Sequence, residues 1–156
     1  MRRTRVYVDT SVFGGVAYDE FAETTRRFFE RVRRGEFLVL LSRHTLDELL
    51  PAPDHGVNVL LDLPNDCVET ITPGDEADVL AEAYIEAGIL DAASRMDARH
   101  VAAATVAGAD LILSWNFKHI VSYDRIRKFN GVNVLKGYRT VDIRSPLEVR
   151  YEDENV

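Results

Sequence analysis

Three acidic residues lie at the ends of predicted strands or near the starts of predicted helices, where catalytic carboxylates are common. Asp9 follows a short β-rich run, Glu48 lies one turn into a segment with an apolar stripe, and Asp97 opens an alanine-rich segment. Carboxylate oxygens are the ligands that hard cations prefer, and magnesium usually takes one or two of them while it keeps several waters. Three convergent carboxylates would therefore hold one or two divalent ions for hydrolytic chemistry.

Each acid also has a structural explanation when it is taken alone. Asp9 could simply cap a turn. Glu48 lies three residues after Thr45, and Asp97 lies three residues after Ser94, which in both cases is the spacing of a helix capping box. The spacing alone leaves both explanations open.

The elements that must position these acids alternate along the chain. Apolar runs predict strands at 5–8, 37–41, 67–71, 110–114 and 140–143. Helical spacing and stop signals predict helices at 19–34, 42–50, 55–63, 75–87, from Ser94 to Gly108, and at 122–129, with a loop after Asp9. Strands that alternate with helices indicate an α/β fold, a mostly parallel sheet with helices on both faces. Ligand sites in such sheets lie beyond the carboxyl ends of the strands, which is where the acids fall.

Four ordered stretches of the sequence resemble the motifs of PIN-domain nucleases. They are Val8–Val12, Thr45–Leu49, Asp97–Ala104 and Leu113–Phe117, and together they span nearly the whole chain. Ser114–His119 and Ile143–Val149 further resemble one branch of PIN-like proteins. The resemblance implies a single PIN-like domain over residues 1–150, followed by a frayed acidic tail at 151–156.

The resemblance also implies an activity. PIN-domain proteins are metal-dependent ribonucleases, often the toxin of a toxin–antitoxin pair. The resemblance makes Mg²⁺ or Mn²⁺ the expected cofactor and RNA the substrate, with an antitoxin protein as a possible partner and a homodimer as the expected assembly. The family's acids fall on Asp9, Glu48 and Asp97, which we expect to hold the metal. Asp9 and Asp97 are the principal expected ligands, and Glu48 would bind a second ion or orient the attacking water.

The fourth acidic position of the family is occupied by Asn116, which completes the expected catalytic set. An amide oxygen can ligate a cation but brings no negative charge. We therefore expect weaker metal binding, with one ion held well and a second recruited with substrate, and we expect Asn116 to hold the surrounding shell in place.

Residues beside the acids are candidates for substrate binding. Thr10 and Ser11 could donate a hydroxyl or backbone N–H to phosphate, or could form a turn. Arg43 and Lys118, together with Arg99 and His119, could reach phosphate oxygens, or could pair with the acids or with solvent.

Two further side chains have alternative interpretations. Trp115 could stack on a base, but a packed core residue is favoured. His100, three residues after Asp97, could share a zinc ion with it, but no partner with zinc-site spacing follows, so a structural or supporting role is favoured.

Composition narrows the class of protein. The 156 residues are 46% hydrophobic, which suits one domain, and the net charge of -7 argues against non-specific coating of nucleic acid. Cys67 is the only cysteine, so an intrachain disulfide and a thiolate metal cluster are excluded. No apolar run approaches the roughly 20 residues of a membrane span, and no signal-peptide pattern is present, so we expect a soluble, cytoplasmic protein without a membrane partner.

Two competing functions remain open at this stage. A phosphoaspartyl phosphatase would place a second acid two residues after Asp9, where Ser11 stands. A degenerate PIN-like module would bind RNA or a protein partner without cleavage, and Asn116 together with the acidic net charge motivates that alternative.

Overall fold

A computed structural model describes residues 2–151 of the chain, which alternate between strands and helices. The strands are β1 (Thr4–Val8), β2 (Phe37–Ser42), β3 (Val68–Ile71), β4 (Leu111–Leu113) and β5 (Asp142–Arg144). The α-helices are α1 (Thr10–Gly14), α2 (Asp19–Arg33), α3 (Arg43–Leu49), α4 (Asp54–Leu61), α5 (Asp75–Glu86), α6 (Arg95–Val106) and α7 (Tyr123–Leu135). The predicted α/β fold class is confirmed.

The sheet is parallel and has the strand order β3-β2-β1-β4-β5. In the middle of the sheet, Val6 on β1 stands opposite Val39 on β2 and Leu111 on β4. The chain moves outward from β1 to one edge and later returns to build the other side. The order therefore reverses between β1 and β4, and ligand crevices of open α/β sheets lie at such a reversal. Asp9, the first residue after β1, stands at that point.

The alternation of side chains along β1 divides the core into two layers. Val6 and Val8 belong to an apolar cluster formed with α1 and α2, which includes Phe13 and Phe28. Tyr7, on the opposite face, belongs to a cluster formed with α5, α6 and α7. Because successive residues of a strand face opposite sides of the sheet, the Tyr7 hydroxyl is directed to the layer that contains α6.

The position at which α6 ends determines at which edge of the sheet its first turn lies. Gly108 has φ of +70°, a left-handed conformation that glycine adopts at no steric cost. Its N–H donates to the Thr105 carbonyl and the Ala109 N–H donates to the Ala104 carbonyl, which is the Schellman pattern of a helix end. The chain then enters β4 at its amino end, so the first turn of α6, which carries Asp97, lies at the carboxyl edge of the sheet.

Several predicted elements differ from the structure. Residues 10–14 form α1 rather than a loop, with Asp9 in the N-cap position. Helix α7 continues to Leu135 instead of ending at 129. Its later turns are held because buried Asn133 accepts a hydrogen bond from the Tyr84 hydroxyl. The last strand covers 142–144 rather than 140–143.

Tyr151, the first residue after the predicted domain boundary, belongs to the described part of the chain. Tyr151 is buried against Phe37, and the guanidinium groups of Arg27 and Arg31 lie over its ring. The rest of the predicted frayed tail, residues 152–156, lies outside the described residues. Between residues 2 and 151, no helix is long and apolar enough to cross a membrane.

Candidate active site

The candidate site lies beyond the carboxyl ends of the three central strands. Asp9 follows β1 and Ser114 follows β4. Helix α3, which carries Glu48, begins directly after β2, and the first turn of α6 lies at the same edge. The parallel topology thus collects at one end of the sheet side chains that are far apart in the sequence.

Asp9 is buried, with 5% of its surface exposed, and one of its two carboxylate oxygens is fixed by neighbours. Its Oδ2 accepts hydrogen bonds from the hydroxyls of Ser11 at 2.7 Å and Ser114 at 2.8 Å. Within the described part of the chain, no hydrogen-bond donor is bound to its Oδ1. The carboxylate is therefore oriented by one oxygen while the other faces the site.

Glu48 is placed by a helix whose start the sequence predicts correctly. Ser42 is the N-cap of α3 and accepts a hydrogen bond from the Thr45 N–H at 3.2 Å. Thr45 is thus inside the helix, and the capping-box explanation of Glu48 is wrong. Instead, Glu48 Oε1 accepts a hydrogen bond from the Thr10 hydroxyl at 2.7 Å and a second one from Nε2 of His100. Burial alone would raise the pKa of Glu48, but its hydrogen bond to His100, the charge on that ring and the Thr10 hydrogen bond outweigh it, and the pKa is lowered.

His100 lies between the two carboxylates and the core. Its Nε2 contacts Glu48 Oε1 and stands 3.8 Å from Asp9 Oδ1. Its Nδ1 is hydrogen-bonded to the Tyr7 hydroxyl at 2.6 Å. Burial lowers the pKa of His100, but Tyr7, Glu48 and Asp9 together raise it well above its usual value. The ring of His100 therefore connects the two carboxylates to the buried Tyr7 hydroxyl.

Asp97 occupies the same edge but has a different partner. Its Oδ2 accepts a hydrogen bond from Nδ1 of His119 at 2.8 Å, and Ser94 makes no side-chain cap at the start of α6. The capping-box explanation of Asp97 is therefore wrong as well. Burial and the nearby negative charge of Asp9 raise the pKa of Asp97, although the His119 hydrogen bond opposes them.

Asn116 supports this second pair. Its side-chain oxygen accepts a hydrogen bond from the backbone N–H of His119 at 2.9 Å, and its own N–H donates to the Ser114 hydroxyl at 2.9 Å. Asn116 thereby shapes the turn that brings His119 to Asp97. The side-chain amide of Asn116 is therefore hydrogen-bonded within the loop that follows β4.

The donor set fits a divalent cation. Asp9, Glu48 and His100 each offer one ligand atom, and these atoms all lie within 4.8 Å of one another. Two carboxylates and an imidazole are a ligand combination that divalent metal ions accept. Asp97 is not one of these three residues, but burial and the nearby negative charge of Asp9 raise its pKa.

The predicted substrate-binding residues are divided between the site and the surface. The hydroxyls of Thr10 and Ser11 are engaged with the site carboxylates. Arg43 is exposed and forms an ion pair with Asp47 at 3.2 Å, whereas Lys118 is an exposed residue in the loop between β4 and α7. Arg43 thus pairs with an acidic residue of its own helix and not with one of the three candidate acids, whereas His119 contacts Asp97.

Trp115 is a core residue, as the favoured interpretation predicts. Its ring stacks on Phe21 with centroids 4.1 Å apart, and its Nε1 donates to the Thr25 hydroxyl at 2.9 Å. With 6% of its surface exposed, it is not available for stacking on a base.

Sequence reasoning missed the network beneath the acids. In the sequence, Tyr7 has no feature that distinguishes it from other residues of a buried strand. In the structure, its hydroxyl contacts His100 and also lies 2.7 Å from Ser42 Oγ. The spacing of Asp97 and His100 on one helix face was the available signal for His100. His44 was also missed. Its ring packs edge-on against His100, and its Nε2 is buried without a hydrogen-bond partner among the described residues, while burial and the charge of His100 lower its pKa.

The five-stranded parallel sheet flanked by helices forms a PIN-like α/β fold. One solved structure with this fold is VapC20 from Mycobacterium tuberculosis, described as a sarcin–ricin loop cleaving toxin. It is 18% identical, with a TM-score of 0.56, over 87% of this chain and 98% of its own. A second is VapBC2 from Rickettsia felis bound to a DNA fragment from its promoter, which is 12% identical with a TM-score of 0.57, over 91% of this chain and 98% of its own.

These likenesses show a shared fold. No family model matches the sequence, and no curated protein matches it.

Proposed function

We propose that this protein is an endoribonuclease that depends on Mg²⁺ or Mn²⁺ and acts in the cytoplasm as the toxin of a toxin–antitoxin pair. The observation that carries the proposal is the convergence of Asp9 and Glu48, 39 positions apart in the sequence, within ligand distance of each other at the switch point of a PIN-like sheet. The RNA-cleaving activity named for the structural neighbour VapC20 agrees with it.

The roles of the acids follow from their surroundings. Asp9 and Asp97 are assigned as the principal ligands, and Glu48 as a ligand that also orients the attacking water. When bound, the ion supplies a Lewis acid that lowers the pKa of a water and offsets the charge that builds on the phosphate. The raised pKa of Asp97 supports its assignment, because burial and the charge of Asp9 cause it and a cation shared by the two acids relieves that repulsion.

Other residues are assigned to hold these acids in place. The hydroxyls of Ser11 and Ser114 fix Asp9, and the hydroxyl of Thr10 fixes Glu48. Asn116 fixes His119, which in turn holds Asp97. Residues that orient metal ligands in this way typically contribute about 10- to 100-fold to metal affinity or activity. Lys118 and Arg43 are assigned to the RNA backbone on the exposed rim of the site.

An antitoxin protein and a homodimeric assembly complete the proposal. The antitoxin follows from the toxin role, and the structural neighbour VapC20 is described as a toxin. Sedimentation of the purified chain tests the assembly, and a single species at the mass of one chain would contradict it.

An RNA cleavage assay with Mg²⁺ or Mn²⁺ tests the activity. Total cellular RNA is incubated with the wild type, Asp9→Asn, Asp97→Asn and the control Asp75→Asn, whose side chain is exposed at the start of α5. We expect cleavage by the wild type and the control, no cleavage in the presence of EDTA, and loss of cleavage in both site variants while the fold persists by circular dichroism.

Equal cleavage by all four proteins would mean that a contaminating nuclease is responsible and that the site is wrong. Absence of cleavage by the wild type, together with absence of heat on manganese titration, would favour the module that binds RNA or a protein partner without cutting.

A further inference from the structure

We infer that His100 is itself a ligand of the ion, through Nε2, and that the site therefore selects a first-row transition ion such as Mn²⁺ over Mg²⁺. The inference rests on the proposed function for the existence of the ion. It adds a nitrogen ligand that the acidic motifs do not supply, and it decides between the two cations expected from the sequence.

The position of the ring atom is the first argument. Nε2 faces two carboxylates at once, in contact with Glu48 and 3.8 Å from Asp9 Oδ1. A linear hydrogen bond from one N–H reaches one acceptor, whereas an ion with ligands at about 2.0–2.2 Å brings three such atoms to within about 4 Å of one another. The ligand atoms of these three residues all lie within 4.8 Å of one another. Only a small movement of the side chains would bring them to the distances that an ion requires.

The fixed orientation of the ring is the second argument. His100 is only 1% exposed, so its ring cannot turn toward solvent. Its Nδ1 is held by the Tyr7 hydroxyl, which is bound to Ser42 Oγ, and Ser42 Oγ lies 3.2 Å from the Thr45 hydroxyl. Histidines that ligate metals commonly donate their second ring N–H to such a partner, which fixes the tautomer.

The direction of these hydrogen bonds permits ligation. If Nδ1 carries the ring proton, it donates to Tyr7, Tyr7 donates to Ser42, and Ser42 donates to Thr45. The hydroxyls of Tyr7 and Ser42 then each have an acceptor, and Nε2 presents a lone pair to the carboxylates. The opposite direction places the proton on Nε2, where it is donated to Glu48. The same buried row of hydroxyls satisfies both states.

Each carboxylate keeps one oxygen without a hydrogen bond among the described residues, and that of Asp9, Oδ1, lies 3.8 Å from Nε2 of His100. Oδ1 of Asp9 and Oε2 of Glu48 have no hydrogen-bond partner in the part of the chain that the structure describes, whereas the other oxygen of each group is fixed. An ion bound between the two carboxylates would be coordinated by these oxygens. This ligand set contains one nitrogen and at least two oxygens.

The ligand set determines the class of ion. Magnesium strongly favours oxygen ligands in a near-ideal octahedron, whereas imidazole nitrogen suits first-row transition ions. Of the two cations expected from the sequence, Mn²⁺ is the first-row transition ion, and we therefore expect it to bind more tightly than Mg²⁺.

Pulsed electron paramagnetic resonance of the Mn²⁺-loaded protein tests the inference directly. A ligating imidazole gives a ¹⁴N coupling to the manganese. We expect this coupling in the wild type and in the control His44→Gln, whose ring packs against His100, and its loss in His100→Gln. Calorimetry on the same proteins should show that His100→Gln weakens Mn²⁺ binding by about tenfold or more and Mg²⁺ binding by less than about threefold.

A double variant keeps the test decisive if His100→Gln does not fold. His44→Gln combined with His119→Gln removes the other imidazoles next to the site and leaves His100 as the remaining source of a nitrogen signal there. Persistence of the ¹⁴N coupling in this protein at saturating Mn²⁺ supports the inference, and bound Mn²⁺ without the coupling overturns it.

The outcomes separate this inference from the proposed function. Bound Mn²⁺ without ¹⁴N coupling in the wild type would mean an all-oxygen site, which overturns the inference and leaves a metal-dependent nuclease intact. Absence of Mn²⁺ binding would overturn both.

Discussion

The Tyr7 hydroxyl and Nδ1 of His100 are 2.6 Å apart, although the two residues are separated by 93 positions in the sequence. This hydrogen bond joins the central strand to the first half of α6 beneath the site. Tyr7 has no solvent exposure, so its hydroxyl was removed from water on folding and must find its partners inside the protein. The packing of the core and the geometry of the acids are thereby coupled.

The substitution Tyr7→Phe is expected to destabilise the fold. It leaves His100 Nδ1 and Ser42 Oγ without the hydroxyl that joins them, and an unsatisfied buried polar group costs about 1–3 kcal/mol. Urea unfolding followed by circular dichroism measures the change. The matched control is Tyr123→Phe, whose ring is 79% exposed and which should change stability by less than about 0.5 kcal/mol. Equal stability of both variants would show that the buried hydroxyl contributes nothing.

The substitution Asp97→Asn is expected to stabilise the protein without a metal ion at neutral pH. Burial and the charge of Asp9 raise the pKa of Asp97, so ionisation of this group is harder in the folded than in the unfolded state. The free energy of unfolding therefore decreases as the pH rises from the ordinary aspartate pKa of about 3.8 to the raised pKa of the folded state. Above that raised pKa the loss is complete and does not change further with pH. Asparagine carries no such charge but still accepts from His119.

Thermal unfolding in EDTA over a pH series measures this effect. The variant should melt above the wild type at pH 7, and the difference should shrink as the pH falls toward the ordinary pKa of an aspartate. Asp75→Asn, an exposed residue, serves as the control for a loss of charge alone. A lower melting temperature of Asp97→Asn at pH 7 would mean that the ion pair with His119 outweighs burial.

The gathering of the acids could be predicted because it follows from general rules. Residues that follow parallel strands meet at one edge of the sheet, which places Asp9 and the helix of Glu48 together once the strands are assigned. Helix stops at glycine are equally local, and Gly108 ends α6 where expected.

The partners of the acids could not be predicted, because they depend on contacts between distant elements. Nothing local distinguishes the hydroxyl of Tyr7 from that of any other buried tyrosine. The capping-box spacing of Glu48 suggested a partner inside its own helix, but the actual partners lie on α1 and α6. Tertiary contacts likewise extend α7 through Asn133, where the sequence shows only weak helix formers.

Gly15→Ala is expected to destabilise the contact between α1, α2 and the loop after β4. A Cβ on Gly15 would lie 2.8 Å from both Thr25 Oγ1 and Trp115 Nε1, which are hydrogen-bonded to each other. Forcing a methyl group into such a space typically costs about 1–3 kcal/mol. Gly14→Ala is the matched control, because a Cβ there meets nothing within 4 Å and its φ is -74°. The control should be neutral or stabilising by about 0.4–1 kcal/mol.

Tryptophan fluorescence reports on the same change, since Trp115 is the only tryptophan in the chain. Gly15→Ala should shift its emission, whereas Gly14→Ala should leave it unchanged. Identical unfolding curves and spectra for the two variants would contradict the close approach of Gly15 to Trp115.

Asn116→Asp is expected to strengthen binding of the divalent ion. The side-chain oxygen of Asn116 accepts from the His119 N–H, and an aspartate oxygen can do the same, so the loop keeps its shape while the site gains a negative charge. Because the affinity of oxygen-rich sites depends on the number of charged ligands, we expect Mn²⁺ to bind roughly threefold to tenfold more tightly. The added charge should also destabilise the protein without a metal ion, since Asp97 already has a raised pKa beside Asp9.

Calorimetry with Mn²⁺ on Asn116→Asp and on Asn58→Asp measures the effect of the new charge. Asn58 is exposed on α4, so the control makes the same chemical change away from the site and should leave the affinity within about twofold of the wild type. If both variants bind Mn²⁺ equally, overall charge rather than the fourth position controls affinity. If only Asn116→Asp loses affinity, the amide is required as it stands to hold His119 against Asp97, and the chain is adapted to a site with three acids.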